Sequence, residues 1–128
     1  MKLLLDTHAL LWADSEPDKL SANARSLLAD PTNERILSVA SLWEIQIKSM
    51  LGKWTLRVPL PELVREQEIV NSVKVLAVGA QHVYELSSLP SIHSDPFDRL
   101  LIAVARVEGA TLLSADPVVR NYPVPVVW

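Results

Sequence analysis

Two aspartates of this chain come at or just after the ends of apolar runs that could be strands. Asp6 closes the run Leu3–Leu5, and Asp116 follows Leu113 after two small residues. Acids just past the carboxyl ends of parallel strands can converge although they lie far apart in sequence. Converging carboxylates resist ionisation unless a cation joins them, and oxygen-only ligation suits Mg²⁺ or Mn²⁺. The placement therefore predicts metal-dependent phosphodiester chemistry.

Three further acids lie in segments with a helical pattern. Glu44 belongs to the mostly apolar stretch 40–51, where a buried carboxylate would demand compensation. Asp95 and Asp98 lie at the start of a strong helical pattern over 97–108. These acids are candidates to join the first two at one site.

Each acid also has an ordinary structural interpretation. Asp6 and Asp116 stand where a helix or turn could begin, and a capping carboxylate contributes ~1 kcal/mol. Glu44 lies four residues before Lys48, as in a surface ion pair. Asp95 precedes a proline and resembles a helix cap. No single acid is diagnostic, but their joint placement is much less probable as a set of caps.

Length and composition limit the class of protein. The 128 residues, 49% of them hydrophobic, suit one compact domain, 1–128. The absence of cysteine excludes a disulfide framework and a thiolate nucleophile. A net charge of −3 gives no bulk attraction to polyanions, although a local RNA-binding patch stays open. Asp6 and His8 interrupt the apolar start too early for a signal peptide or membrane span, which predicts a soluble, cytoplasmic protein.

Strand-like and helical segments alternate along the chain, which predicts an α/β domain with a parallel sheet. The predicted strands are 2–5, 35–39, 73–78, 111–114 and 124–127. The predicted helices are 7–14, 22–29, 40–51, 61–71, 80–86 and 97–108. A short extended piece is expected over 54–58 and a loop over 87–94.

The histidines and tryptophans give weaker indications. His8 and His93 stand close in sequence to acids and are expected beside the site. Trp12 and Trp43 can be core residues. Trp54, in a short segment bounded by glycine and proline, is predicted to be an exposed anchor for a protein partner.

Four motifs follow one another along the chain. They are Leu3-Leu4-Leu5-Asp6-Thr7-His8-Ala9-Leu10-Leu11-Trp12, Ser41-Leu42-Trp43-Glu44-Ile45, His93-Ser94-Asp95-Pro96-Phe97-Asp98-Arg99-Leu100-Leu101-Ile102-Ala103 and Leu112-Leu113-Ser114-Ala115-Asp116. These motifs resemble those of the PIN-domain family, and most of all its VapC-like toxins from bacterial toxin–antitoxin pairs. The match runs essentially from end to end, with the motifs in the family's order.

The resemblance implies a three-layer α/β/α sandwich with a central parallel sheet and Mg²⁺- or Mn²⁺-dependent endoribonuclease activity. It also implies a homodimer and a cognate antitoxin protein. The family's acidic positions fall on Asp6, Glu44, Asp98 and Asp116, which are the predicted catalytic and metal-binding residues. Asp116 falls on the most variable of these positions.

Secondary roles are expected for four neighbours. Asp95 would assist the acids or merely cap the helix, and Ser114 falls where the family often has a hydroxyl near the fourth acid. Arg99 could contact phosphate, brace the carboxylates or form a solvent-facing salt bridge, and Lys48 could contact the RNA backbone. Ser94 stands where related sequences often have a basic residue.

The expected mechanism is hydrolysis by metal-activated water, which leaves 5′-phosphate and 3′-hydroxyl ends. RNA preference would then come from substrate shape and single-stranded loops. Three alternatives stay open. They are a phosphatase with Asp6 as nucleophile, a metal-free nuclease that uses His8 and His93, and a non-catalytic RNA- or protein-binding domain of the same fold.

Overall fold

A five-stranded parallel sheet forms the centre of the computed structural model, which describes all 128 residues. The strands are β1 (Lys2–Leu5), β2 (Glu34–Ser38), β3 (Lys74–Leu76), β4 (Thr111–Leu113) and β5 (Val126–Val127), in the order β3-β2-β1-β4-β5. All four neighbouring pairs are parallel. The leucines of β1 are at most 1% exposed, since a central strand of a parallel sheet is buried on both faces.

Helices cover both faces of the sheet. They are α1 (Thr7–Ser15), α2 (Ala22–Ala29), α3 (Val39–Met50), α4 (Leu60–Val70), α5 (Ala80–Glu85) and α6 (Pro96–Glu108). Single 3₁₀ turns lie at Pro17–Lys19, Leu86–Ser88 and Val119–Asn121. No helix is long and apolar enough to cross a membrane.

The side-chain alternation of the strands divides the core in two. Leu4 and Leu112 pack with α6 on one face of the sheet. Leu5 and Leu113 pack on the other face with α1, α2 and α4. The predicted three-layer α/β/α sandwich with a central parallel sheet is confirmed.

Strand ends and helix starts follow each other closely at the carboxyl edge of the sheet. Thr7 begins α1 one residue after β1, and Val39 begins α3 directly after β2. Ser114 follows β4 at the same edge. The predicted acids after β1 and β4 are therefore held on short, well-packed connections.

The segment 54–58 joins no strand of the sheet. Gly52, with a φ of +72°, turns the chain after α3. Trp54, Leu56 and Val58 then pack alternately against the second core layer. The predicted extended piece is therefore held by packing on the second core layer and not by strand pairing. Leu86–Ser88, at the start of the predicted 87–94 loop, forms a 3₁₀ turn.

Two tryptophans are partly or largely accessible to solvent. Trp54 is half-buried, with its ring against the core layer, and its role as an exposed anchor for a protein partner stays a prediction. Trp43 is 56% exposed on the outer side of α3, where it contacts Phe97 with ring centroids 4.9 Å apart. Helical periodicity alone does not distinguish a core face from an exposed apolar face.

Candidate active site

A cleft of about 390 Å³ at the carboxyl edge of the sheet brings the predicted acids together. Its lining includes all four predicted catalytic carboxylates together with Asp95 and Lys48: Asp6, Glu44, Asp95, Asp98, Asp116 and Lys48. These side chains come from the ends of β1 and β4 and from α3 and α6. The expectation that distant acids converge at this edge agrees with the geometry.

Asp6 lies at the N-cap position of α1, but its side chain makes no capping hydrogen bond. Its Oδ2 instead accepts a hydrogen bond of 2.6 Å from the Ser114 hydroxyl, which follows β4. Asp6 is 8% exposed, and burial raises its pKa although the Ser114 hydrogen bond partly opposes this. The carboxylate thus lines the cleft and bonds to Ser114 instead of capping its own helix.

Ser114 links two of the acids. Its Oγ donates to Asp6 and also accepts the backbone N–H of Asp116 at 3.1 Å. Ser114 is fully buried, so it acts on the site through these two residues. Asp116 uses Oδ1 to accept the Val118 N–H at 2.9 Å, which leaves Oδ2 facing the cleft. The hydroxyl expected near the fourth acid is therefore a positioning group.

Glu44 is 3% exposed, unlike an ordinary surface glutamate. Lys48, one helical turn later, lies 2.5 Å from its Oε2. The i,i+4 pair is therefore present but largely buried, and Lys48 supplies the compensation that a buried carboxylate needs. The same Lys48 ammonium lies 4.5 Å from the centroid of the Trp54 ring.

Asp98 and His93 are in direct contact. The Nε2 atom of His93 lies 2.9 Å from Asp98 Oδ2 and 3.7 Å from Asp116 Oδ2. Burial, reinforced by the charges of Asp95 and Asp6, raises the pKa of Asp98 to about 7. His93, expected only beside the site, lies between two of its acids. The sequence signal was its position two residues before Asp95 in the third motif.

Asp95 caps α6. Its Oδ1 accepts the backbone N–H groups of Phe97 at 2.8 Å and Asp98 at 3.4 Å, with Pro96 at the first helical position. The carboxylate is thus committed to the helix end while it lines the cleft. The interpretation of Asp95 as a helix cap agrees with this geometry.

Arg99 does not contact the carboxylates. Its guanidinium donates to the Pro90 carbonyl at 2.8 Å and to the Tyr122 hydroxyl at 3.3 Å. The same hydroxyl accepts the backbone N–H of His93 at 2.6 Å. Arg99 and Tyr122 therefore anchor the loop that carries His93, a long-range arrangement that the sequence alone does not reveal.

The donor set suits a divalent cation. Carboxylate oxygens come from Asp6, Glu44, Asp98 and Asp116. Lys48 is the only lysine or arginine that lines the cleft. Ligand atoms of His93, Asp98 and Asp116 lie within 4.8 Å of one another. Burial, and to a smaller extent the neighbouring carboxylates, raises the pKa of Asp6 and Asp98, and a bound cation would favour their charged forms. The residues present thus fit Mg²⁺ or Mn²⁺.

Comparison with known proteins agrees with this architecture. The chain is 29% identical over 130 residues to Ribonuclease VapC22 of Mycobacterium tuberculosis (strain ATCC 25618 / H37Rv), and the match covers 98% of each chain. The solved VapBC2 of Rickettsia felis, bound to a DNA fragment from its promoter, matches with a TM-score of 0.72 at 19% identity over 99% of this chain and 98% of that one. VapBC-1 of nontypeable Haemophilus influenzae matches with a TM-score of 0.61 at 16% identity over 99% and 97%. The sequence model of the PIN domain matches residues 3–124, so this chain belongs to the PIN domain family.

Proposed function

We propose that this protein is a divalent-metal-dependent endoribonuclease and the toxin of a toxin–antitoxin pair. The observation that carries the proposal is the convergence of Asp6, Glu44, Asp98 and Asp116 in one cleft at the carboxyl edge of the sheet. The family and a full-length relative named as a ribonuclease support RNA as the substrate.

The four carboxylates would hold Mg²⁺ or Mn²⁺. When bound, such an ion activates water and offsets the charge that develops on the scissile phosphate. Ser114 restricts the Asp6 carboxylate to one orientation, and Asp95 fixes the start of the helix that carries Asp98. Lys48, at the wall of the cleft, is placed to contact an RNA phosphate.

Two protein partners are part of the proposal. Solved structures with this fold are named as VapBC complexes, which supports an antitoxin as one partner. The outer side of α3 exposes Val39, Trp43 and Met50. This unpaired apolar helix face supports association into a homodimer.

RNA cleavage is the direct test. Purified protein is incubated with end-labelled structured RNAs in Mg²⁺ or Mn²⁺, with EDTA and Asp6→Asn as controls. We expect cleavage that requires the metal and Asp6 and that leaves 5′-phosphate and 3′-hydroxyl ends. Cleavage that survives EDTA, or products with 2′,3′-cyclic phosphate, would contradict the mechanism. Metal binding without cleavage of any RNA would favour a non-catalytic binding domain.

A further inference from the structure

A second cleft opens beside the acidic one. It has a volume of about 420 Å³ and lies between α1 and the segment that follows α3. His8 and Trp12 line both clefts. Any chain that passes through the acidic site can therefore continue directly into the second cleft.

Three aromatic rings form one wall of this second cleft. His8 and Trp12 lie four residues apart on α1, with ring centroids 5.5 Å apart. His8 also meets the Trp54 ring edge-on, with centroids 5.4 Å apart. Trp12 and Trp54 pack against the core layer beneath them, whereas the His8 ring is exposed. The wall is thus held rigidly by the core and is open to solvent at its mouth.

Positive charge lies next to this aromatic wall. Lys53 lines the cleft, is exposed and makes no salt bridge. The Lys48 ammonium, 4.5 Å from the Trp54 ring centroid, lies between the two clefts. Lys19 lies 5.9 Å from the Trp12 ring centroid but is ion-paired with Glu16, and Lys48 is ion-paired with Glu44. Lys53 is therefore the lysine of this wall whose charge is free for a ligand.

This combination matches single-stranded nucleic acid. Proteins bind unpaired strands with cationic grooves that follow the backbone and aromatic side chains on which bases stack. Only four of the twelve residues that line the cleft are hydrophobic, and its basic residues Lys19, Lys53 and Arg57 outnumber Asp14 and Glu16, so it suits an anionic strand better than an apolar peptide anchor. RNA with its scissile phosphate in the acidic cleft would bring its next nucleotide to His8 and Trp12.

We propose that His8, Trp12 and Trp54 form a stacking platform for an unpaired base next to the scissile phosphate. Lys53 contacts the adjoining RNA backbone. The substrate class is thereby RNA that is single-stranded on one side of the cleavage site. This inference rests on the proposed ribonuclease function.

Binding to a matched pair of oligonucleotides tests the platform. The probes are a fluorescein-labelled 12-nucleotide single-stranded RNA and an abasic ribose-phosphate chain of the same length, both measured by anisotropy on Asp6→Asn protein. Stacking on one aromatic residue is worth ~1–3 kcal/mol per base. We expect the abasic chain to bind about 5- to 160-fold more weakly, and the addition of Trp54→Leu to remove that difference.

Matched variants separate stacking from folding. Trp54→Phe keeps an aromatic face and should retain the preference for base-containing RNA, whereas Trp54→Leu keeps apolar packing and should lose it. Tyr84→Leu, at an exposed aromatic residue of α5, should leave the preference unchanged. Lys53→Ala should weaken both probes by a similar factor and reduce the salt dependence of binding.

Equal binding of the two probes, or a preference that survives Trp54→Leu, would overturn the proposal and assign the cleft to a different partner, such as a polypeptide. The cleavage assay keeps this result distinct from the ribonuclease function. Metal-dependent cleavage with no sensitivity to Trp54→Leu removes the platform alone. Failure of all cleavage removes the proposed function.

Discussion

Asp6 immediately precedes α1 and Asp95 immediately precedes α6, so both occupy the position where an aspartate commonly caps a helix. The Asp95 carboxylate accepts two backbone N–H groups of its own helix. The Asp6 carboxylate accepts none and bonds to Ser114, 108 residues away in sequence. Asp6 also lies on the central strand connection and is more deeply buried than Asp95.

The difference shows what makes a carboxylate available for chemistry. At α6 the local backbone uses the charge, and the helix start gains stability. At α1 a buried hydroxyl from a neighbouring strand end holds the side chain towards the cleft instead. Both aspartates occupy an N-cap position, and the contact with Ser114 distinguishes Asp6 from Asp95.

Exchange of each aspartate for asparagine should give the largest difference in RNA cleavage between the two positions. Asp6→Asn is expected to lower RNA cleavage by more than the ~10- to 100-fold that loss of a supporting group typically costs. Since burial raises the pKa of Asp6, the neutral amide should not lower the melting temperature in EDTA. Asp95→Asn, the matched control, retains a side-chain cap and should keep most of the activity. Equal loss of cleavage in both variants would contradict the division of roles.

The pH dependence of the free energy of unfolding should show that ionisation of Asp98 is unfavourable in the folded protein. Burial, together with Asp95 and Asp6, raises the pKa of Asp98 from its ordinary 3.8 to about 7. Between these values the native state binds the proton more tightly than the unfolded chain, so the free energy of unfolding falls as pH rises. A difference of about three pH units corresponds to at most ~4 kcal/mol.

Thermal melting in EDTA at pH 5 and pH 8 measures this effect. We expect the wild-type protein to lose stability over the interval and Asp98→Asn to lose clearly less. Asp18→Asn, at an exposed carboxylate far from the cleft lining, serves as the control. An Asp98→Asn protein with the wild-type pH dependence would contradict the assigned burial and crowding.

Loss of the Ser114 hydroxyl should show how far the function of Asp6 depends on its hydrogen bond to Ser114. Ser114→Ala removes the hydrogen bond to Asp6 and the acceptor for the Asp116 N–H. Cleavage should fall ~10- to 100-fold with a higher metal requirement, as expected for a group that orients ligands. Ser87→Ala removes an exposed hydroxyl that donates to the Tyr84 carbonyl, outside both clefts, and should have no effect on either quantity. Unchanged metal dependence in Ser114→Ala would show that Asp6 needs no such support.

The smallest effect is expected at the cap itself. Asp95→Ala should lower the free energy of unfolding by ~1 kcal/mol, as loss of a helix cap typically does. Ser21→Ala removes the equivalent hydrogen bond to Ala24 N–H at the start of α2, far from the acids, and should cost a similar amount. Denaturant unfolding of the two variants compares them. If Asp95→Ala left the free energy of unfolding almost unchanged, the Asp95 carboxylate would not stabilise α6 as a cap.

Much of this architecture is predictable from the chain. Apolar runs and end signals located each of the five strands, and Gly109 marked the end of α6, where its φ is +63°. The converging acids were predicted from strand ends because parallel topology brings those ends together. The prediction of the PIN-domain family is confirmed.

Long-range side-chain contacts were not predictable. Nothing local in the sequence pairs Ser114 with Asp6 or directs Arg99 to Tyr122, because periodicity specifies a face and not a partner. The exposure of Trp43, which the sequence allowed to be a core residue, was not predictable for the same reason.

Titration of the protein with Mn²⁺, followed by calorimetry or by the electron paramagnetic resonance of the free ion, tests the central claim that these carboxylates form a cation site. We expect saturable binding to the wild-type protein, strongly weakened binding to Asp6→Asn and near-normal binding to Asp95→Asn. Absence of binding to the wild-type protein, or equal binding to wild type and Asp6→Asn, would contradict it.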